Sequence, residues 1–218
     1  MSKLFGIIPL ACIAIWAVPA PGNDASSNTP VPECELAKEW VAANLDALPT
    51  TLDAFGEHSL TFRRAIYGAL DTEIRISLWR ENLAAVAHEA TLPEQRLFLE
   101  RVSRDLDGYV RGTAPASEID AVAEEARAIL GMDLAGRAIA VLGSVPESAV
   151  FAVENGDLEP DCACSTEEDW CWLTSFGRRE CRDDEDYHCD DLESGCGDWW
   201  QAACDGMCFK KKKDESTS

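Results

Sequence analysis

Residues 161–208 read DCACSTEEDWCWLTSFGRRECRDDEDYHCDDLESGCGDWWQAACDGMC. Eight of the ten cysteines lie in this stretch: Cys162, Cys164, Cys171, Cys181, Cys189, Cys196, Cys204 and Cys208. Between successive cysteines lie 1, 6, 9, 7, 6, 7 and 3 residues. Such density means either covalent crosslinks or metal binding. Zinc is usually gripped by thiolate pairs two residues apart on a tight turn. The stretch contains no such pair, Cys162 and Cys164 sit closer than a zinc knuckle allows, and His188 is its single imidazole. Disulfides are therefore expected, with no metal and no cofactor. A segment this short buries too little apolar surface to offset chain entropy, and crosslinks supply what the core lacks. Eight cysteines pair in 105 ways, and spacing does not choose among them.

The N-terminus points to the same compartment. MSKLFGIIPLACIAIWAVPAPG has a basic residue at Lys3, an apolar run from Leu4 to Val18 and small residues at Ala17 and Ala20. This is the layout of a secretory signal peptide, here placed at 1–20. The run is short for a permanent membrane helix, which needs roughly 20 residues. Lipid attachment at Cys12 is not expected, because Pro9 stands where that motif wants a branched aliphatic residue. A secreted, extracellular chain with oxidised cysteines follows. Loss of Cys12 with the signal would leave Cys34 as the odd thiol, available for an intermolecular disulfide.

Residues 21–32, rich in Ser, Asn, Asp and Pro, read as a linker. Residues 33–147 carry apolar residues at helical spacing. Leu36, Trp40, Val41 and Leu45 mark one helix, and Leu60, Phe62, Ala65, Ile66, Ala69 and Leu70 mark another. Asp71 can cap a third with Ile74, Leu78, Trp79, Leu83 and Val86. Thr91-Leu-Pro-Glu94 reads as a capping box with proline in the first turn, leading into Leu97, Phe98, Val102 and Leu106. Ser117 can cap a helix with Ile119, Val122, Ala126 and Ile129, and another begins near Asp133. The expected fold is mainly α. A helical bundle-like domain is followed by a small disulfide-rich C-terminal domain with little regular structure. A connector at 148–161, the cysteine domain at 162–208 and a charged tail at 209–218 complete the chain.

Trp170, Trp172, Trp199 and Trp200 are the candidate target contacts of the cysteine domain, because indole combines apolar area with one donor. The competing reading wraps them around the disulfides as a mini-core. Asp183, Asp184, Glu185 and Asp186, with Asp190, Asp191 and Glu193, form an acidic run. A calcium loop starting at Asp183 would need glycine and glutamate where His188 and Ser194 stand, so a solvated acidic loop is expected.

Cys162-Ala-Cys-Ser-Thr-Glu-Glu-Asp-Trp-Cys171 and Gly195-Cys-Gly197, with Cys204 and Gly206 beyond, resemble the fulvocin C-related bacteriocins in motif and in cysteine number and order. Three helical pieces are similar to precursor-length members of that group: Leu48-Pro-Thr-Thr-Leu-Asp-Ala-Phe55, Arg63-Arg-Ala-Ile-Tyr-Gly-Ala-Leu70 and Leu78-Trp-Arg-Glu-Asn-Leu83. The resemblance spans residues 34 to 208 in two blocks. It implies a bacteriocin precursor: a helical pro- or carrier region, cleavage near Pro160-Asp161, and an eight-cysteine part acting on competing bacteria through a cell surface or receptor. The alternative is an uncleaved extracellular binding protein with a disulfide-rich recognition module.

Charge limits the partners. The chain has 40 acidic and 19 basic residues, a net of -21. Residues 161–208 carry 14 acidic residues against 3 arginines, a net of -11. Nucleic acid and anionic lipid repel such a surface, which argues against direct membrane disruption. Only Lys210 to Lys213 offer a basic patch. No catalytic function is expected. There is no Gly-x-Ser-x-Gly elbow and no Walker loop, and His88-Glu89 lacks the second histidine of a zinc-protease helix.

Overall fold

The computed structural model describes residues 33–144, 164–168, 170–171, 179–182 and 192–210. The expected signal peptide, linker and connector, and the tail beyond Lys210, lie outside the described residues, as do Cys12, Cys162, Cys189, Trp172 and the acidic run 183–191. Six α-helices come first: α1 (Glu33–Ala43), α2 (Leu52–Gly56), α3 (Leu60–Ala69), α4 (Thr72–Glu89), α5 (Pro93–Val110) and α6 (Ala116–Ile139). Four short strands follow: β1 (Arg179–Arg182), β2 (Leu192–Cys196), β3 (Ala202–Cys204) and β4 (Met207–Lys210). The protein is mainly α, with a small disulfide-rich C-terminal region. None of the described helices is long and apolar enough to cross a membrane.

Local chemistry sets the helix ends. Thr51 Oγ1 accepts from Ala54 N to start α2, and Ser59 Oγ accepts from Phe62 N to start α3. Asp71 occupies the N-cap of α4, yet its side chain makes no capping bond. At α5 the expected box is shifted by one residue. Leu92 is the N-cap, Pro93 opens the helix, and Gln95 rather than Glu94 reaches back to Thr91 N and Leu92 N, both at 3.2 Å. Helix α6 starts after Pro115 instead of at Ser117. At Gly131 the backbone turns to φ 74°, breaking the helix where two helices were expected.

Helices α4, α5 and α6 form the centre. Ile76, Trp79, Leu83 and Val86 bury one stripe of α4, while Phe98, Leu99, Val102, Leu106 and Tyr109 bury one of α5. Leu36, Leu45 and Leu97, expected in apolar stripes, are 45%, 60% and 66% exposed. Leu99 takes the inward position on α5 instead. Val122, Ala126, Leu130, Ala138 and Ile139 close the core from α6.

Arg63 is fully buried in α3 and acts as a clamp. Its guanidinium donates to the carbonyls of His58 (2.8 Å), Gly56 (2.5 Å), Leu142 (3.3 Å) and Ser144 (2.6 Å). These acceptors lie at the end of α2 and beyond the end of α6, where orphan helix carbonyls need donors. Buried Asn82 holds the same corner, donating to Arg137 O at 2.8 Å and accepting from Gly143 N at 3.0 Å.

Candidate functional site

Among the described residues three cysteine pairs are bonded: Cys164–Cys181, Cys171–Cys208 and Cys196–Cys204. Strands β1 and β4 pair antiparallel with Cys181 opposite Cys208. Strands β2 and β3 pair antiparallel, and Cys196–Cys204 joins them. Cys164 bridges to Gly206 across the chain, and Asp205 grips Thr166 through both its backbone N–H and its hydroxyl at 2.8 Å. The sulfurs of Cys164, Cys171 and Cys208 lie within 4.8 Å of one another, a spacing a metal could use. All three are in disulfides, so none offers the thiolate that a metal would bind.

The β2–β3 hairpin carries a tight turn, Gly197-Asp-Trp-Trp-Gln201, and this turn is the centre of the site. Trp199 and Trp200 both sit at φ 56°, a left-handed conformation that bulky residues rarely adopt. The cost is about 1–2 kcal/mol per residue. Each indole buries about 150–250 Å², which at about 25 cal/mol per Å² is up to roughly 4–6 kcal/mol, so burial outweighs the strain. Two glycines make the approach possible. Gly195, at φ 120°, lies where a Cβ would come within 3.2 Å of Arg64 Cβ. Gly197, at φ 69°, lies where a Cβ would strike Glu168 and come within 2.8 Å of Ala202 Cβ.

Both indoles are fully buried among the helices, in the same core as Trp79 and Leu106. Trp199 stacks on Tyr109 at 5.5 Å between ring centroids and meets Trp79 edge-on at 5.3 Å. Trp200 meets Tyr67 edge-on at 5.1 Å and lies 6.1 Å from the Phe55 ring. Trp200 Nε1 donates to Ala140 O at 2.9 Å. Trp199 Nε1 is buried with no partner among the described residues. Arg64 Nε donates to Gly195 O at 3.0 Å, and Gln201 Nε2 donates to Val110 O at 3.2 Å. Tyr67 relays between the regions: its hydroxyl accepts from Trp79 Nε1 at 3.0 Å and donates to Trp199 O at 3.5 Å. Burial pushes the Tyr67 pKa up to about 12, against the opposing pull of the Trp79 bond and Arg75, so the phenol keeps the proton it donates.

A second contact lies beside the turn. Trp170 is 8% exposed, and its Nε1 donates to Asp198 Oδ1 at 2.8 Å. The Arg127 guanidinium of α6 covers its ring, 4.5 Å from the centroid. Asp198 is itself buried, and its backbone N–H donates to the Glu168 carboxylate.

The expected site residues thus fall in two groups. Six cysteines form the three disulfides, while Cys162 and Cys189 lie outside the described residues. Trp170, Trp199 and Trp200 are buried against this protein's own helices. The segment expected to be a separate domain shares one core with the helices, and both belong to one compact unit, Val31–Ser218. Sequence reasoning missed Arg63, Arg64, Tyr67, Glu168 and Asp198. Arg63 had a legible signal: it stands three residues from both Leu60 and Ile66, in line with an apolar stripe. Cys34 belongs to α1, whereas His58 packs between Trp40 and Phe62 as an ordinary aromatic neighbour. No family model matches the chain, and neither a curated protein nor a solved structure matches it.

Proposed function

We propose that this is a secreted, non-enzymatic recognition protein that works as an intact chain, with its disulfide segment seated on a helical platform. The observation that carries this reading is the burial of Trp199 and Trp200 inside the helical core. Separating the segment would expose two indoles and leave their socket empty, at a cost of about 3–5 kcal/mol for each large side chain removed. Secretion is supported by the N-terminal signal pattern and by the bonded cysteine pairs. With Trp170, Trp199 and Trp200 turned inward, contact with a partner falls to the segment's outer residues, such as exposed Thr166 and Glu167. A net of -11 across residues 161–208 favours a basic partner on a cell surface over nucleic acid or anionic lipid.

A second reading is the bacteriocin precursor, supported by the resemblance of Cys162–Cys171 and Gly195–Gly197 to the fulvocin C-related group. The helices would then be a pro-region shielding the tryptophans until the connector is cut. The socket residues Phe55, Arg64, Tyr67 and Trp79 fall in the three helical pieces that carry the same resemblance. Intact-mass spectrometry of the protein from culture medium, before and after reduction, separates the two. The first reading expects the mature chain uncut. A persistent fragment starting near Asp161 that inhibits bacterial growth would overturn it and establish the second.

A further inference from the structure

The turn that carries Trp199 and Trp200 enters the core beside two carboxylates. Asp198 is 3% exposed and immediately precedes Trp199. Its Oδ1 accepts from Trp170 Nε1, and its backbone N–H donates to Glu168. Gly197 has no room for a Cβ against Glu168, so a displacement of the carboxylate is felt directly by the turn. Among the described residues, the charged groups around the pair are Asp120 and Arg127 on α6, with Glu167 beside Glu168. One guanidinium among the described residues therefore faces four carboxylates. It is engaged over the Trp170 ring.

We propose that Glu168 and Asp198 form a proton-operated latch. A proton held at the pair keeps the Trp199–Trp200 turn seated on the helices, and its loss loosens that seat. The geometry carries this, because the buried Asp198 carboxylate and the half-buried Glu168 carboxylate repel each other across the joint when both ionise. Burial pushes the Asp198 carboxyl up to about 7, the Glu168 charge pushes the same way, and Arg127 and the Trp170 N–H oppose them. Burial also raises Glu168. An unfolded aspartate titrates near 3.9, so the folded chain holds its proton more tightly than the unfolded chain. The latch is fully closed below about pH 4 and opens as pH rises through about 7. This is the reverse of a salt-bridged aspartate, which stabilises at high pH. The latch does not depend on whether the chain is cut.

The test uses the full oxidised chain with ¹⁵N-labelled indoles. The readout is the protection of the Trp200 indole N–H, bonded to Ala140 O, against solvent exchange, relative to a free indole at each pH. From about pH 5 to about pH 8, protection falls by about tenfold or more in the wild type and by less than about twofold in Asp198→Asn. Glu168→Gln removes the repulsion and moves the midpoint to lower pH. Both variants keep every histidine of the wild type, so differences between the profiles belong to the carboxylates. If Asp198→Asn does not fold, the midpoint of Glu168→Gln decides alone. Identical pH profiles in wild type and variants would overturn the latch.

Discussion

Residues 33–144 bury their own side chains: Ile66, Leu78, Leu99, Leu106 and Ile139 come from helices that cover one another. The described residues of the C-terminal region hold three disulfides and four short strands, yet the two most buried large side chains among them, Trp199 and Trp200, sit in the helices' interior. One region has a core and no described crosslink, while the other has crosslinks and a borrowed core. Disulfides restrict what an unfolded segment can do, but they supply little apolar contact of their own. A segment stapled this densely still needs somewhere to put its tryptophans.

The comparison is broken most severely at Trp200. Trp200→Ala empties a socket between Phe55, Tyr67 and Trp79 and frees the Ala140 carbonyl, so it costs about 3–5 kcal/mol. Urea denaturation followed by far-ultraviolet circular dichroism reads this loss in the helices, although the substitution lies in the disulfide region. A helical transition left unchanged would mean that the two regions do not share a core.

Removing crosslinks sharpens the contrast in graded steps. Chain entropy gives about 4 kcal/mol for Cys171–Cys208, which spans 37 residues, and about 2.5 kcal/mol for Cys196–Cys204, which spans 8. Paired Cys→Ala variants measured by thermal unfolding are expected in that order. The smaller effect falls on the pair at the base of the tryptophan turn, because it closes the shorter loop of the unfolded chain.

The finest step separates the two indoles. Trp200→Phe strands the Ala140 carbonyl and costs about 1–3 kcal/mol beyond the packing change. Trp199→Phe removes a buried donor that has no partner among the described residues, so its polar contribution is close to neutral. Denaturant midpoints of the two variants give the difference directly.

Much of the helical region was legible because helices announce themselves through local spacing. The stripes on α3, α4 and α5, and the two segments either side of Gly131, follow from residues within one or two turns. Cap details slipped by one residue at α5, where Pro93 opens the helix, and by two at α6, where Pro115 is the N-cap. The disulfide content was legible from cysteine density, but the pairing was not, because it depends on strand register. The destination of Trp199 and Trp200 was hidden for a different reason. Local pattern says that an indole wants burial and is silent on which distant surface receives it. Asp198 was hidden too: an aspartate between Gly197 and Trp199 reads as a turn residue until Trp170 and Glu168 are placed beside it.

The central claim is that helices and disulfide segment are one folded unit. It is tested most directly by introducing a specific protease site within residues 148–161, cutting the purified oxidised protein there, and passing it over a sizing column in native buffer. The account predicts that both pieces elute together at the position of the uncut chain and part only in denaturant. Elution of the cysteine segment by itself as a small folded peptide, with the helices still folded, would contradict it.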